Sequence, residues 1–101
     1  MPFGLPPKII DAIQAYFKQY PEVECVKVYG SRAMGTEKPG SDIDLAIFSN
    51  QDKTILVGKI LGELEELSTP YLFDVTDYAK IEHPPLKDHI DRVGKIIYKK
   101  K

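Results

Sequence analysis

One cysteine, Cys25, is the only thiol in this 101-residue sequence, so no internal disulfide can staple the fold. Cys25 lies in an apolar run and is expected to be a buried thiol. Charge of one sign is not in excess either. Lys and Arg number 14 against 15 Asp and Glu, a formal net charge of −1, so the basic surplus typical of a nucleic-acid binder is missing. No apolar run approaches the roughly 20 residues that cross a bilayer. The opening Met1-Pro2-Phe3-Gly4 has neither the basic segment nor the apolar run of a secretory leader. The expectation is a cytoplasmic, disulfide-free protein without membrane or direct nucleic-acid contacts. The terminal run of Lys99, Lys100 and Lys101 is expected to be a solvated tail.

What is present is the make-up of an ordinary globular domain, 43% hydrophobic and 29% charged. The length suits a single domain over residues 1–101 and leaves no room for two lobes with a cleft between them. Ile9, Ile13 and Phe17 recur at helical spacing and predict a helix over 6–20, opened by Pro7 and stopped by Pro21. Alternation of Val26 and Val28 about Lys27 predicts a strand over 23–29. Residues 31–41 are expected to be loop or one helical turn, and 42–48 a second strand. A helix is expected over 52–67, capped by Asn50 or Asp52, with Leu56, Ile60, Leu64 and Leu67 on one stripe. A third strand follows over 71–76. Pro84 and Pro85 open a last helix facing inward with Leu86, Ile90 and Val93, and 95–98 form a last strand. The order α-β-turn-β-α-β-α-β predicts an α/β (α+β) domain, a mixed sheet of about four strands with helices packed on it.

Chemistry enters where acids interrupt strands that should be apolar. Asp42 and Asp44 are two residues apart, which places both carboxylates on one face of a strand while Ile43, Leu45 and Ile47 anchor the other. Two adjacent negative charges repel unless a cation lies between them, and Mg²⁺ suits such oxygen donors. Upstream, Gly30-Ser31 follows a strand directly. A turn there offers backbone N–H groups and a hydroxyl to an anion, and Gly30 presents no side chain to obstruct it. Arg32 can meet phosphate or pair with an acid. Asp74 interrupts a third strand, opposite in direction to Tyr71, Phe73 and Val75, and joins the pair if the strands are neighbours. Asp77 ranks well below it. His83 and His89 share no metal-ligand spacing and are expected to be structural or exposed. Together, a phosphate-binding turn beside a carboxylate pair suits a metal–nucleoside triphosphate.

Gly30-Ser31, ten residues and then Asp42-Ile43-Asp44-Leu45 resembles the signature of the nucleotidyltransferase superfamily that includes DNA polymerase β. Gly-Ser-Arg-Ala followed by Ser-Asp-Ile-Asp-Leu is similar to its smallest branch, the minimal nucleotidyltransferases of prokaryotes. The Phe-Asp-Val-Thr-Asp and Gly-Lys-Ile-Ile-Tyr strands extend the likeness over nearly the whole chain. The resemblance implies a polymerase β-type core in which Asp42, Asp44 and Asp74 hold two Mg²⁺ ions and ATP is the nucleotide donor. Asp74 is then also a candidate base. Gly30, Ser31, Arg32 and Ser41 are the implied nucleotide- and phosphate-binding residues. It also implies a partner, a small all-helical HEPN-type ribonuclease toxin that receives AMP from an antitoxin of this kind. Two-metal chemistry requires carboxylates that converge on ions about 3.5–4 Å apart.

Larger members of the superfamily add a helical domain that grips the acceptor, for which this length leaves no room, so a second subunit is expected to supply the acceptor platform. Six tyrosines are more than a small core needs, and some are candidates for partner surface. Two alternatives stand beside this reading. One is transfer to a small hydroxylated molecule, aminoglycoside-like. The other is an idle module that silences its partner by covering it, against which three clustered acids argue.

Overall fold

A computed structural model of the chain describes residues 2–49, 55–67 and 69–100. Helix α1 spans Pro7–Lys18, with Pro7 supplying the fixed φ of a first helical residue. Ile9, Ile13, Tyr16 and Phe17 form its buried stripe. Strand β1 (Val23–Tyr29) leads through Gly30 into a single turn of helix, α2 (Ser31–Met34), and then to strand β2 (Ile43–Ser49). Helix α3 is Val57–Glu65, strand β3 is Phe73–Asp77, helix α4 is Pro84–Val93 and strand β4 is Lys95–Lys99. Short 3₁₀ turns occupy Pro2–Gly4 and Tyr78–Lys80.

The four strands form one mixed sheet in the order β3-β2-β1-β4. β1 runs antiparallel to both β2 and β4, whereas β2 and β3 are parallel. A parallel pair needs a crossover, and α3 lies on it. One sheet face carries Val26, Val28, Ile43, Leu45, Ile47, Phe73, Val75 and Ile97, which pack with the stripe of α1 and with Ile60 and Leu64 of α3. Fully burying each such aliphatic or aromatic side chain is worth about 1.5–3 kcal/mol. Hydroxyls of Tyr16 and Tyr20 on and after α1 donate to Oε1 of Glu63 on α3, tying the two helices together. The opposite face is covered more sparingly. Ile90 of α4 is fully buried there with Tyr29 and Ala46, and Phe48, Tyr78, Ile81 and Leu86 close around them.

Several expectations shift in detail. β2 begins at Ile43, so Asp42 stands just outside the strand, and β3 runs from Phe73 to Asp77. α3 begins at Val57 because Leu56 is not yet helical; the expected caps Asn50 and Asp52 lie outside the described residues. Cys25 is half-buried rather than buried, beside an irregularity in the β1–β2 register. Lys99 and Lys100 are not a free tail: Lys99 closes β4, and the Lys100 ammonium donates to the Pro21 carbonyl at 2.8 Å. Of the six tyrosines, Tyr16 and Tyr29 are buried, and Tyr20, Tyr71, Tyr78 and Tyr98 are half-buried with part of each ring open to solvent.

Candidate active site

Strand register brings the sequence's separated motifs together. The antiparallel pairing sets Asp44 opposite Tyr29, hence beside Gly30, and the parallel pairing sets Asp44 opposite Asp74. Side chains paired in register leave the sheet on the same side. Asp44 and Asp74 therefore share the face that α4 partly covers, away from the core residues Ile43, Leu45, Phe73 and Val75. Asp44 is half-buried, and Asp42 and Asp74 are exposed. Asp77, three residues along the strand from Asp74 and pointing inward, is buried and caps the following 3₁₀ turn by accepting from the Ala79 N–H at 3.1 Å.

Gly30 joins β1 to α2 with φ 72° and ψ −153°, a conformation reserved almost wholly for glycine. A Cβ at this position would also collide with Oδ2 of Asp44. The turn and the acid thus pack directly against each other. From Gly30 the carbonyl accepts the N–H groups of Ala33 and Met34 at 3.1 and 3.2 Å, which winds the chain into α2 with Ser31 as its first residue.

The electrostatics of the cluster centre on Asp44. Burial pushes its carboxyl above the usual carboxylate range, and the charges of Asp74 and Asp42 push it further, while His89 and Arg32 oppose them. Excess negative charge on hard oxygen donors fits a divalent cation. Asp44 and Asp74 share a face and Asp42 adds to the field at Asp44, but the three are not assembled into a tight cluster. Among the described residues, no three His, Cys, Asp or Glu side chains stand close enough to hold a metal ion.

Arg32, expected to meet phosphate or an acid, makes no ion pair with an acid among the described residues. Its side chain is buried, and its guanidinium donates to backbone carbonyls: Ser41 at 2.8 and 3.2 Å, Phe3 at 2.9 Å and Gly4 at 3.3 Å. The fork of donors ties the N-terminal turn, α2 and the residue before Asp42 into one unit. Ser41 is likewise committed to the local turn. Its hydroxyl accepts from the Lys38 N–H at 2.8 Å and its own N–H donates to the Lys38 carbonyl at 2.9 Å. Lys38 itself is exposed.

His89 was not expected at the site, yet its Nε2 accepts the Gly30 N–H at 3.1 Å and its ring stands edge-on to Tyr29 at 6.1 Å between centroids. No spacing rule could have found it, because the depth at which α4 settles on the sheet is a tertiary outcome. The only local signal is its place beside Ile90, the anchor of that helix. His83, by contrast, is exposed at the N-cap of α4.

The sequence model of the family described as Polymerase beta, Nucleotidyltransferase matches residues 11–101. No curated protein matches the sequence. Among solved structures, the fold is similar to that of a toxin–antitoxin described as MntA-HepT, at 15% identity and a TM-score of 0.69, covering 94% of this chain and 74% of that one. It is similar at 16% identity and a TM-score of 0.69 to a chain from a complex of tri-AMPylated Shewanella oneidensis HEPN toxin with MNT antitoxin, covering 92% and 71%. A toxin–antitoxin with AMP-PNP matches at 19% identity and a TM-score of 0.66, covering 91% and 74%. Among the described residues, no helix is long and apolar enough to cross a membrane.

Proposed function

The chain belongs to the polymerase β nucleotidyltransferase family, and from that premise we propose that it transfers AMP from ATP to a hydroxyl of a partner protein. The partner is a small helical HEPN-type toxin in the cytoplasm, and this chain is its antitoxin. The observation that carries the reading is the register that opposes Asp44 to Asp74 beside the positive-φ turn at Gly30. The nucleotidyltransferase core is common to several acceptors. The choice of acceptor is supported by the fold's similarity to chains of toxin–antitoxin structures, one with AMP-PNP and one with a tri-AMPylated toxin.

Asp42, Asp44 and Asp74 are the residues that would hold Mg²⁺ once drawn together, because a cation would relieve the repulsion that Asp74 and Asp42 exert on Asp44. Bound there, the ion would supply charge neutralisation for the triphosphate and would lower the pKa of the acceptor hydroxyl. Gly30 and Ser31 hold the phosphates through backbone N–H groups and the Ser31 hydroxyl. Asp74, open to solvent, accepts the proton of the incoming hydroxyl. The acceptor oxygen forms a bond to the α-phosphorus as the bond to the β-phosphate oxygen breaks, and pyrophosphate leaves. Arg32 takes no part in the transfer; it keeps the turn and the acid-bearing strand in register.

The test is intact-mass analysis of the HEPN-type partner after incubation with ATP, Mg²⁺ and this protein, wild type beside Asp44→Asn. A gain of whole AMP units with wild type alone is expected. A partner silenced equally by both proteins without a mass change would overturn transfer in favour of silencing by binding. A partner that neither binds nor gains mass would leave a small hydroxylated acceptor as the substrate to pursue.

A further inference from the structure

The Gly30 N–H, the backbone donor beside the acids, already has a partner: Nε2 of His89, 3.1 Å away. An amide carries one hydrogen, so an imidazole lone pair and a phosphate oxygen cannot both hold it at full strength. Acceptance through Nε2 makes the neutral ring the Nδ1–H tautomer. The ring is held in place from two sides. Tyr29 stands edge-on to it, itself buried and in hydrogen-bonding contact with Thr76 at 3.2 Å, and the next residue of α4, Ile90, is fully buried against the sheet. The imidazole is thus placed by packing and touches the turn through one bond.

Building on the reading of Gly30 and Ser31 as the phosphate turn, we propose that His89 is a positioning residue for the donor nucleotide. It is a displaceable acceptor that keeps the Gly30 turn satisfied until a phosphate oxygen takes its place. Nucleotide binding then replaces one hydrogen bond with another and does not fill a bare donor. The exchange releases a side chain of α4, so that helix registers whether the site is occupied. The exposed side of α4, with Lys87 over the Tyr78 ring and Asp91 accepting from the Tyr78 hydroxyl at 2.6 Å, is the surface on which that release would be felt.

A competing acceptor weakens what it competes with. His89→Ala is expected to tighten AMP-PNP binding in the presence of Mg²⁺ by about 2- to 10-fold, the span of one ordinary hydrogen bond. His89→Gln carries an amide oxygen near the position of Nε2 and is expected to keep the wild-type affinity. A purely structural histidine would give the reverse order, with His89→Ala less stable and binding no better.

Two-dimensional NMR of the wild-type protein follows the exchange without any substitution. Titration with AMP-PNP and Mg²⁺ is expected to move the Gly30 amide resonance and the His89 Nε2 resonance together. Movement of Gly30 with an unmoved Nε2, or failure of His89→Ala to tighten binding, overturns the role of His89 and leaves the phosphate turn standing. An unmoved Gly30 amide overturns both.

Discussion

Replacement of Arg32 separates two roles that look alike in the sequence. Its guanidinium makes four contacts with three backbone carbonyls, those of Ser41, Phe3 and Gly4. A hydrogen bond from a charged group is worth about 1.5–3 kcal/mol net. The four share one side chain and do not add, so Arg32→Ala is expected to cost about 3–4 kcal/mol. Domain stabilities run about 5–15 kcal/mol, so the variant folds but melts roughly 12–30 °C lower. Arg32→Lys keeps the charge but not the fork, and a single ammonium cannot span three carbonyls. It is expected to lose about 2 kcal/mol. The assay is guanidinium denaturation of all three proteins, paired with nucleotide binding under conditions where each is folded. A phosphate-binding arginine would behave otherwise: its loss would leave the denaturation midpoint alone and weaken nucleotide binding. Wild-type stability in Arg32→Lys together with weakened binding would refute the clamp.

Two further substitutions probe the turn and the acid. Gly30 and Gly35 both have positive φ, 72° and 75°, but only Gly30 faces an obstacle, Asp44, while Gly35 has open space. Gly35→Ala is expected to cost about 1–2 kcal/mol and to spare transfer. Gly30→Ala should cost more, about 2–4 kcal/mol with its Gly-only backbone included, and should abolish transfer, as thermal melts and the mass assay together would reveal. Equal effects would mean that Asp44 does not constrain the turn. For Asp44, the folded-state pKa lies above the unfolded one, so its ionised form opposes folding at neutral pH, and that penalty fades as pH falls through the raised value. In metal-free buffer Asp44→Asn is therefore expected to melt higher than wild type at neutral pH, with the gap closing in acid. A gap that widens in acid would contradict the assignment.

Local patterns carried much of this molecule. Proline at the first position foretold α1 and α4, and the stripe of Ile9, Ile13 and Phe17 identified the face that is buried. The acids at 42, 44 and 74 stood out because they interrupt an apolar pattern, and the register does set Asp44 opposite Asp74. That Asp74 opposes Asp44 was not legible. It depends on how two strands slide past each other across a crossover, and no local spacing encodes that offset. The carbonyl contacts of Arg32 were not legible for a related reason. A cation next to Gly-Ser fits an anion equally well as a set of carbonyls, and only the N-terminal turn folding back to offer Phe3 and Gly4 decides between them. His89 was invisible because its role belongs to the docking of a helix.

The two connections that flank β2 differ in how far they could lengthen during evolution. Between Gly30 and Asp42 the chain is pinned partway by Arg32, which grips Ser41 from α2, so an insertion there would pull against the grip and drag Asp42 with it. Between Asp44 and Asp74, among the described residues, no side chain grips the chain as Arg32 does: the acids meet because β2 and β3 are hydrogen-bonded neighbours, however many residues separate them. The first interval behaves as a ruler and the second as slack. Descendants of this scaffold can therefore acquire new sequence in the second interval without redesigning the chemistry, whereas the ten residues after Ser31 must be inherited nearly at fixed length.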